Sequence, residues 1–84
     1  MPYEIRFTKE AIKDINKLSS KLKKKSKEIA INQITEELYR GKKLIGDLSG
    51  FFSIRLSYKD RIIYSINEKD HTVFIHRAKI HYGD

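Results

Sequence analysis

The chain has 84 residues, carries 18 Lys and Arg against 11 Asp and Glu for a formal charge of +7, and contains no cysteine. That length makes one domain with a single core and a narrow stability margin. The composition excludes a disulfide framework or thiolate zinc site, no apolar run approaches the ~20 residues of a membrane helix, and Met1-Pro2-Tyr3 does not begin a signal peptide. A cytoplasmic protein is the default expectation. The positive charge points to a polyanion or an acidic protein partner, with solubility as the plainer alternative.

Tyr3, Ile5 and Phe7 alternate with Glu4 and Arg6, which predicts a half-buried strand. Thr8 suits a helix N-cap and Glu10 the positive end of the helix dipole. Ala11, Ile12, Ile15 and Leu18 recur at three- and four-residue steps as the apolar stripe of a short helix. Ser19-Ser20 interrupts that stripe and can cap a second helix, giving an αα-hairpin. The second helix is expected over about 21–39, with Leu22, Ile29, Ala30, Ile34 and Leu38 buried and Gly41 as its left-handed C′ residue. Lys21, Lys23, Lys24, Lys25 and Lys27 crowd its start and oppose the macrodipole. They are either a nonspecific phosphate patch or a solvated helix face.

Lys42 to Asp47 leads into the stretch that organises the remainder, LSGFFSIRLSYKDRIIYSI over 48–66. Phe52, Ile54 and Leu56 alternate with polar residues, Ser57-Tyr58-Lys59-Asp60 supplies turn chemistry, and a β-branched run returns from Arg61. With Ser57 opposite Arg61, Leu56 faces Ile62 and Ile54 faces Tyr64 on one side of the sheet. Phe51, Ser53, Arg55, Arg61, Ile63 and Ser65 then share the other side. Two guanidiniums on one face repel each other, so an anion is the expected reason for them. Asn67 to Asp70 is a second polar turn, and 72–78 is the last strand, with Val73, Ile75 and Arg77 on one side and Phe74, His76 and Ala78 on the other. The predicted fold is α+β in the order β-α-α-β-β-β: a two-helix hairpin packed on one face of a mostly antiparallel four-stranded sheet, in one domain over 1–84.

This order is similar to that of the RelE/ParE toxin superfamily. The run Leu48-Ser49-Gly50-Phe51-Phe52-Ser53, the segment Arg61-Ile62-Ile63-Tyr64 and the terminal His81-Tyr82 resemble the YoeB/Txe-like branch, which has an LSGFWS-type lead-in, an HRLVY-type strand and a terminal HY in the same order. The likeness runs end to end and is most specific over the last thirty-odd residues. It implies the toxin of a two-gene toxin–antitoxin module, paired with an antitoxin whose acidic or amphipathic tail wraps the toxin. It also implies an mRNA interferase, an endoribonuclease that cleaves mRNA in the ribosomal A site with no metal or other cofactor.

Such cleavage requires a 2′-hydroxyl to lose a proton and attack the adjacent phosphorus, a fixed cation for the added negative charge, and a proton for the departing 5′-oxygen. Arg61 falls where the resemblance puts the catalytic arginine, and a guanidinium forked toward phosphate suits that role. His81, with an unperturbed pKa near neutrality, can donate or accept a proton. Tyr82 can stack on a base or hydrogen-bond the scissile phosphate. Read without the resemblance, Arg61 is an ordinary strand arginine and His81-Tyr82 a frayed tail. Lys42, Lys43, Arg55, Arg77 and Lys79 are expected to position substrate, whereas His71 and His76 read as structural or exposed.

One departure stands out. YoeB-like toxins carry a glutamate shortly before the LSGFW segment, read as the general base, and this chain has Lys42 or Lys43 there. RelE-like toxins have basic residues in this region. A lysine base needs a lowered pKa, Asp47 is the nearby carboxylate, and His81 is the other candidate. Two rival functions follow: a ParE-like gyrase inhibitor with no chemistry, which needs no terminal His-Tyr, and a small basic nucleic-acid-binding domain.

Overall fold

A computed structural model describes residues 3–78 of the chain. Strand β1 (Glu4–Phe7) leads into helices α1 (Lys9–Asn16) and α2 (Ser20–Glu28), and α2 continues as π-helical turns over Ile29–Ile34. Strands β2 (Lys42–Lys43), β3 (Phe51–Arg55), β4 (Arg61–Asn67) and β5 (Thr72–Arg77) follow. They form one sheet in the order β1-β5-β4-β3-β2. β1 runs parallel to β5, and every other pair is antiparallel. The architecture is the expected α+β arrangement with one strand more, because Lys42 and Lys43 pair with Ser53 and Phe52 as a short edge strand. Among the described residues no helix is long and apolar enough to cross a membrane.

The helix starts follow from the sequence. Thr8 Oγ1 accepts the Ala11 N–H at 3.1 Å as the N-cap of α1 and donates to the His76 carbonyl at 3.0 Å, tying that helix start to β5. Ser19 Oγ caps α2 by accepting the Leu22 N–H at 3.3 Å. Ala11, Leu18, Ile29, Ala30 and Ile34 pack against Phe52, Leu56, Ile62, Tyr64, Val73 and Ile75 to form the core on one face of the sheet. Ile12, expected on the buried stripe, is 49% exposed.

The second helix differs from expectation in a way its apolar spacing explains. Ile29, Ala30 and Ile34 are the buried residues of the segment. An α-helix separates positions five apart by about 140° around its axis, whereas i→i+5 winding brings them close to one face. The wider turns therefore let Ile29 and Ile34 both reach the core. Regular helix thus ends well before Gly41, which is not among the glycines with positive φ. Gly41 instead permits a close approach: a Cβ there would lie 2.7 Å from Tyr64 Oη and 3.1 Å from the Ser53 carbonyl. Tyr64 Oη accepts the Gly41 N–H and donates to the Leu38 carbonyl, both at 2.9 Å, closing the end of the helical segment onto the sheet. Burial pushes the Tyr64 phenol above its ordinary pKa, so it stays protonated as that donor.

The central hairpin pairs two residues away from the expected register. Ile54 faces Ile62 and Phe52 faces Tyr64, while Leu56 lies beyond the last strand pair. The cause is a longer turn, in which the Asp60 carbonyl accepts both the Leu56 N–H at 2.9 Å and the Ser57 N–H at 3.1 Å. A shift of two conserves the faces, because side chains alternate with period two.

A candidate nucleic-acid interface on the open face of the sheet

Register decides which predicted residues meet. Arg55 lies directly opposite Arg61, the last pair before the turn, and Ser53 lies opposite both Ile63 and Lys42 in its two neighbouring strands. Lys42, Ser53, Arg55, Arg61 and Ile63 therefore share the face turned away from the helices. Arg61 Nη1 donates to Ser53 Oγ at 3.4 Å, which draws the guanidinium along the strand toward the Lys42 edge. Among the described residues neither Arg55 nor Arg61 makes an ion pair. Like charges placed opposite each other across two strands are destabilising by roughly a few tenths of a kcal/mol. Such a pair is electrostatically incomplete and suits a bound anion.

Lys43 is opposite Phe52, so alternation assigns it to the other face of the edge strand, where it is exposed. Arg77 is also turned to the helix side. Its Nε donates to Asp14 Oδ2 at 2.7 Å and its Nη2 to Asp14 Oδ1 at 3.2 Å. The Ala78 N–H donates to the same carboxylate at 3.1 Å. Burial alone would raise the Asp14 pKa, but the Arg77 and Ala78 hydrogen bonds and the charges of Arg77 and Lys17 outweigh it, leaving the carboxyl below its ordinary value. This pair pins the end of β5 to α1. Sequence reasoning passed over Asp14, although a carboxylate flanked by Ala11, Ile15 and Leu18 on a helix stripe is a visible signal of a buried partner. Lys79, His81 and Tyr82 lie outside the described residues.

A second group occupies the open face farther along the strands. Pairing of Ile63 with Arg77 and of Tyr64 with Ile75 leaves His76 as the extra residue of a β-bulge. Its Nε2 shares a 2.8 Å hydrogen bond with Ser65 Oγ, and its ring meets Phe51 edge-on at 4.9 Å. Burial lowers the His76 pKa, which favours the neutral imidazole. His71 sits in the β4–β5 turn with φ 51° beside Tyr3. Both histidines thus have structural surroundings. Among the described residues no group of three His, Asp or Glu side chains is placed to hold a metal ion.

No family model matches the chain. Toxin RelG of Mycobacterium tuberculosis is 37% identical over an alignment 86 positions long, gaps included, which spans 96% of this chain and 98% of that protein. The toxin–antitoxin complex RelBE2 of the same organism contains a chain that superposes with a TM-score of 0.85 at 35% identity, covering 94% of this chain and 98% of that one. The YoeB dimer of Staphylococcus aureus superposes with a TM-score of 0.80 at 27% identity, covering 98% and 100%. With a relative this similar over nearly the whole of both chains, and with the same sheet and helix hairpin in the solved structures, the chain belongs to the RelE/ParE superfamily of toxins, whose YoeB-like members are among its structural neighbours.

Proposed function

We propose that this chain is the toxin of a type II toxin–antitoxin module and an endoribonuclease that cleaves mRNA on the translating ribosome. The observation that carries the reading is the Arg55 and Arg61 pair, opposed on the helix-free face with no carboxylate partner among the described residues. In the proposed step a 2′-hydroxyl loses its proton and its oxygen bonds to the neighbouring phosphorus. The 5′-oxygen leaves with a proton, giving a 2′,3′-cyclic phosphate and a 5′-hydroxyl. Arg61, fixed on a strand and steadied by Ser53, stabilises the charge added to the phosphoryl oxygens. Arg55 and Lys42 share its face and hold the flanking phosphates, with Lys43 at the same sheet edge.

His81 supplies the proton to the 5′-oxygen and Tyr82 contacts the scissile nucleotide, with Lys79 as a further phosphate contact. Arg77 takes a positioning part: its ion pair with Asp14 anchors the strand from which those three residues follow. With His81 as the acid, the general base is the remaining role, for which Lys42 and Lys43 are the candidates.

The proposed partner is a cognate antitoxin with an acidic, amphipathic segment. Ile12 and Ile31, 49% and 56% exposed, line a groove of about 410 Å³ with Phe7, Ile15, Asn16 and Lys27. Lys27 of α2 lines this otherwise mostly apolar groove, so charge and shape favour such a segment. The solved RelBE2 and Staphylococcus aureus YoeB-YefM structures are toxin–antitoxin complexes.

Primer extension on a defined mRNA, with and without translating ribosomes and with chelator present, tests the enzymatic reading. Wild-type protein is expected to cut at codon-related positions only with ribosomes, and both Arg61→Ala and His81→Ala to abolish the cuts. Growth arrest with no cut at any position overturns the reading in favour of a binding toxin.

A further inference from the structure

We infer that the tip of the β3–β4 hairpin is a base-stacking site for single-stranded RNA, with Tyr58 as the stacking ring beside the Arg55 and Arg61 pair. The inference rests on the RNA-cleavage reading above and names an additional contact to the same substrate.

The turn is pinned at both ends. Leu56 is fully buried and Asp60 is 5% exposed. The Asp60 carbonyl accepts the Leu56 and Ser57 N–H groups. Ser57 Oγ donates to Asp60 Oδ2 at 3.1 Å and accepts the Asp60 N–H at 3.2 Å. At the apex of this fixed loop Tyr58 is 94% exposed. A lone exposed aromatic requires no explanation, but this one has a charged setting. Residues 55–61, RLSYKDR, carry Arg55, Lys59 and Arg61, and their one carboxylate is turned inward to Ser57. The tip therefore presents a ring and Lys59, with the Arg55 and Arg61 pair at its base and its one acid already engaged.

Single-stranded nucleic acid is bound by this combination, since cations follow the phosphates while aromatic faces take the bases without regard to sequence. Tyr58 and Arg61 are three residues apart, so their Cα atoms are at most about 11 Å from each other. A single RNA strand with a base on Tyr58 can therefore also place a neighbouring phosphate at Arg61. Because the turn is already fixed, little ordering is required when RNA arrives.

The chain has no tryptophan, so Tyr58→Trp creates a single fluorescent reporter at the tip. The probes are an oligoribonucleotide with a 2′-O-methyl group at the cleavage position, which reports binding without turnover, and mRNA-programmed ribosomes. Stacking predicts quenching of the Trp emission on addition of either probe. It also predicts binding about tenfold weaker in Tyr58→Ala and unchanged in Tyr58→Phe, which keeps the ring. In the cleavage assay Tyr58→Ala raises KM and leaves kcat in place. An unquenched Trp with both probes, or wild-type RNA affinity in Tyr58→Ala, overturns the inference. So does a Tyr58→Ala variant that loses antitoxin affinity alone, because the tip then belongs to the protein partner. If wild-type protein cuts no mRNA, the nuclease reading fails by itself, while the quenching titration still decides the stacking claim.

Discussion

On the helix side of the sheet, Arg77 is held by two hydrogen bonds to Asp14, and that carboxylate also takes the Ala78 N–H. On the open side, Arg55 and Arg61 stand opposite each other with no ion pair among the described residues. The same residue type does two jobs on one sheet. Where the cation is neutralised, it fastens strand β5 to helix α1, and where it is left bare, it stores an attraction for an anion. The difference teaches that local pairing, more than charge alone, separates structural cations from candidate substrate cations in a chain of net charge +7.

The largest expected effect comes from breaking the neutralised side. Asp14→Ala removes the two Arg77 hydrogen bonds and the acceptor of the buried Ala78 N–H, and is predicted to cost about 3 kcal/mol in urea denaturation. A loss near zero would move Arg77 into the same class as Arg55. The pH dependence sharpens the point. The folded pKa of Asp14 lies below its unfolded value, so its contribution is complete above about pH 4 and is lost as pH falls through the folded value. Asp14→Asn should flatten that acid limb, and an unchanged limb would assign it to other carboxyls.

Gly41→Ala comes next, at roughly 2 kcal/mol, because the new methyl meets Tyr64 Oη and the Ser53 carbonyl. Thermal denaturation reads this directly, and an unaltered midpoint would mean that the edge beside the open face gives way freely. Tyr64→Phe removes the hydroxyl that joins Leu38 to Gly41 and is expected to cost about 1.5 kcal/mol. The smallest effect belongs to the bare side. Arg55→Ser is predicted to leave stability unchanged or to raise it by roughly a few tenths of a kcal/mol, since it relieves the opposed charges. A clear loss would reveal a structural role for that arginine.

Much of this contrast was legible in the sequence. Alternation along the central hairpin assigned Arg55 and Arg61 to one face, and that survives the change of register because the shift is even. Thr8 and Ser19 announced both helix starts. The turn length was not legible, because Ser57-Tyr58-Lys59-Asp60 has turn chemistry in either register and only the Asp60 carbonyl, shared by two N–H groups, selects the longer loop. The π-helical turns were hidden as well. Ordinary helical spacing already pairs Ala30 with Ile34, and only the burial of Ile29 beside them calls for the wider winding. Lys42 and Lys43 carry no alternation of their own, so their edge strand is set by the partner β3. The Asp14 and Arg77 pair joins residues 63 positions apart, a contact no local pattern specifies.

Cleavage rate and denaturation midpoint measured on one preparation of Arg61→Ala test the central claim most directly. The account predicts a midpoint at or above that of wild type, with ribosome-dependent cleavage reduced at least about a hundredfold. A folded Arg61→Ala protein that cleaves at the wild-type rate would contradict it.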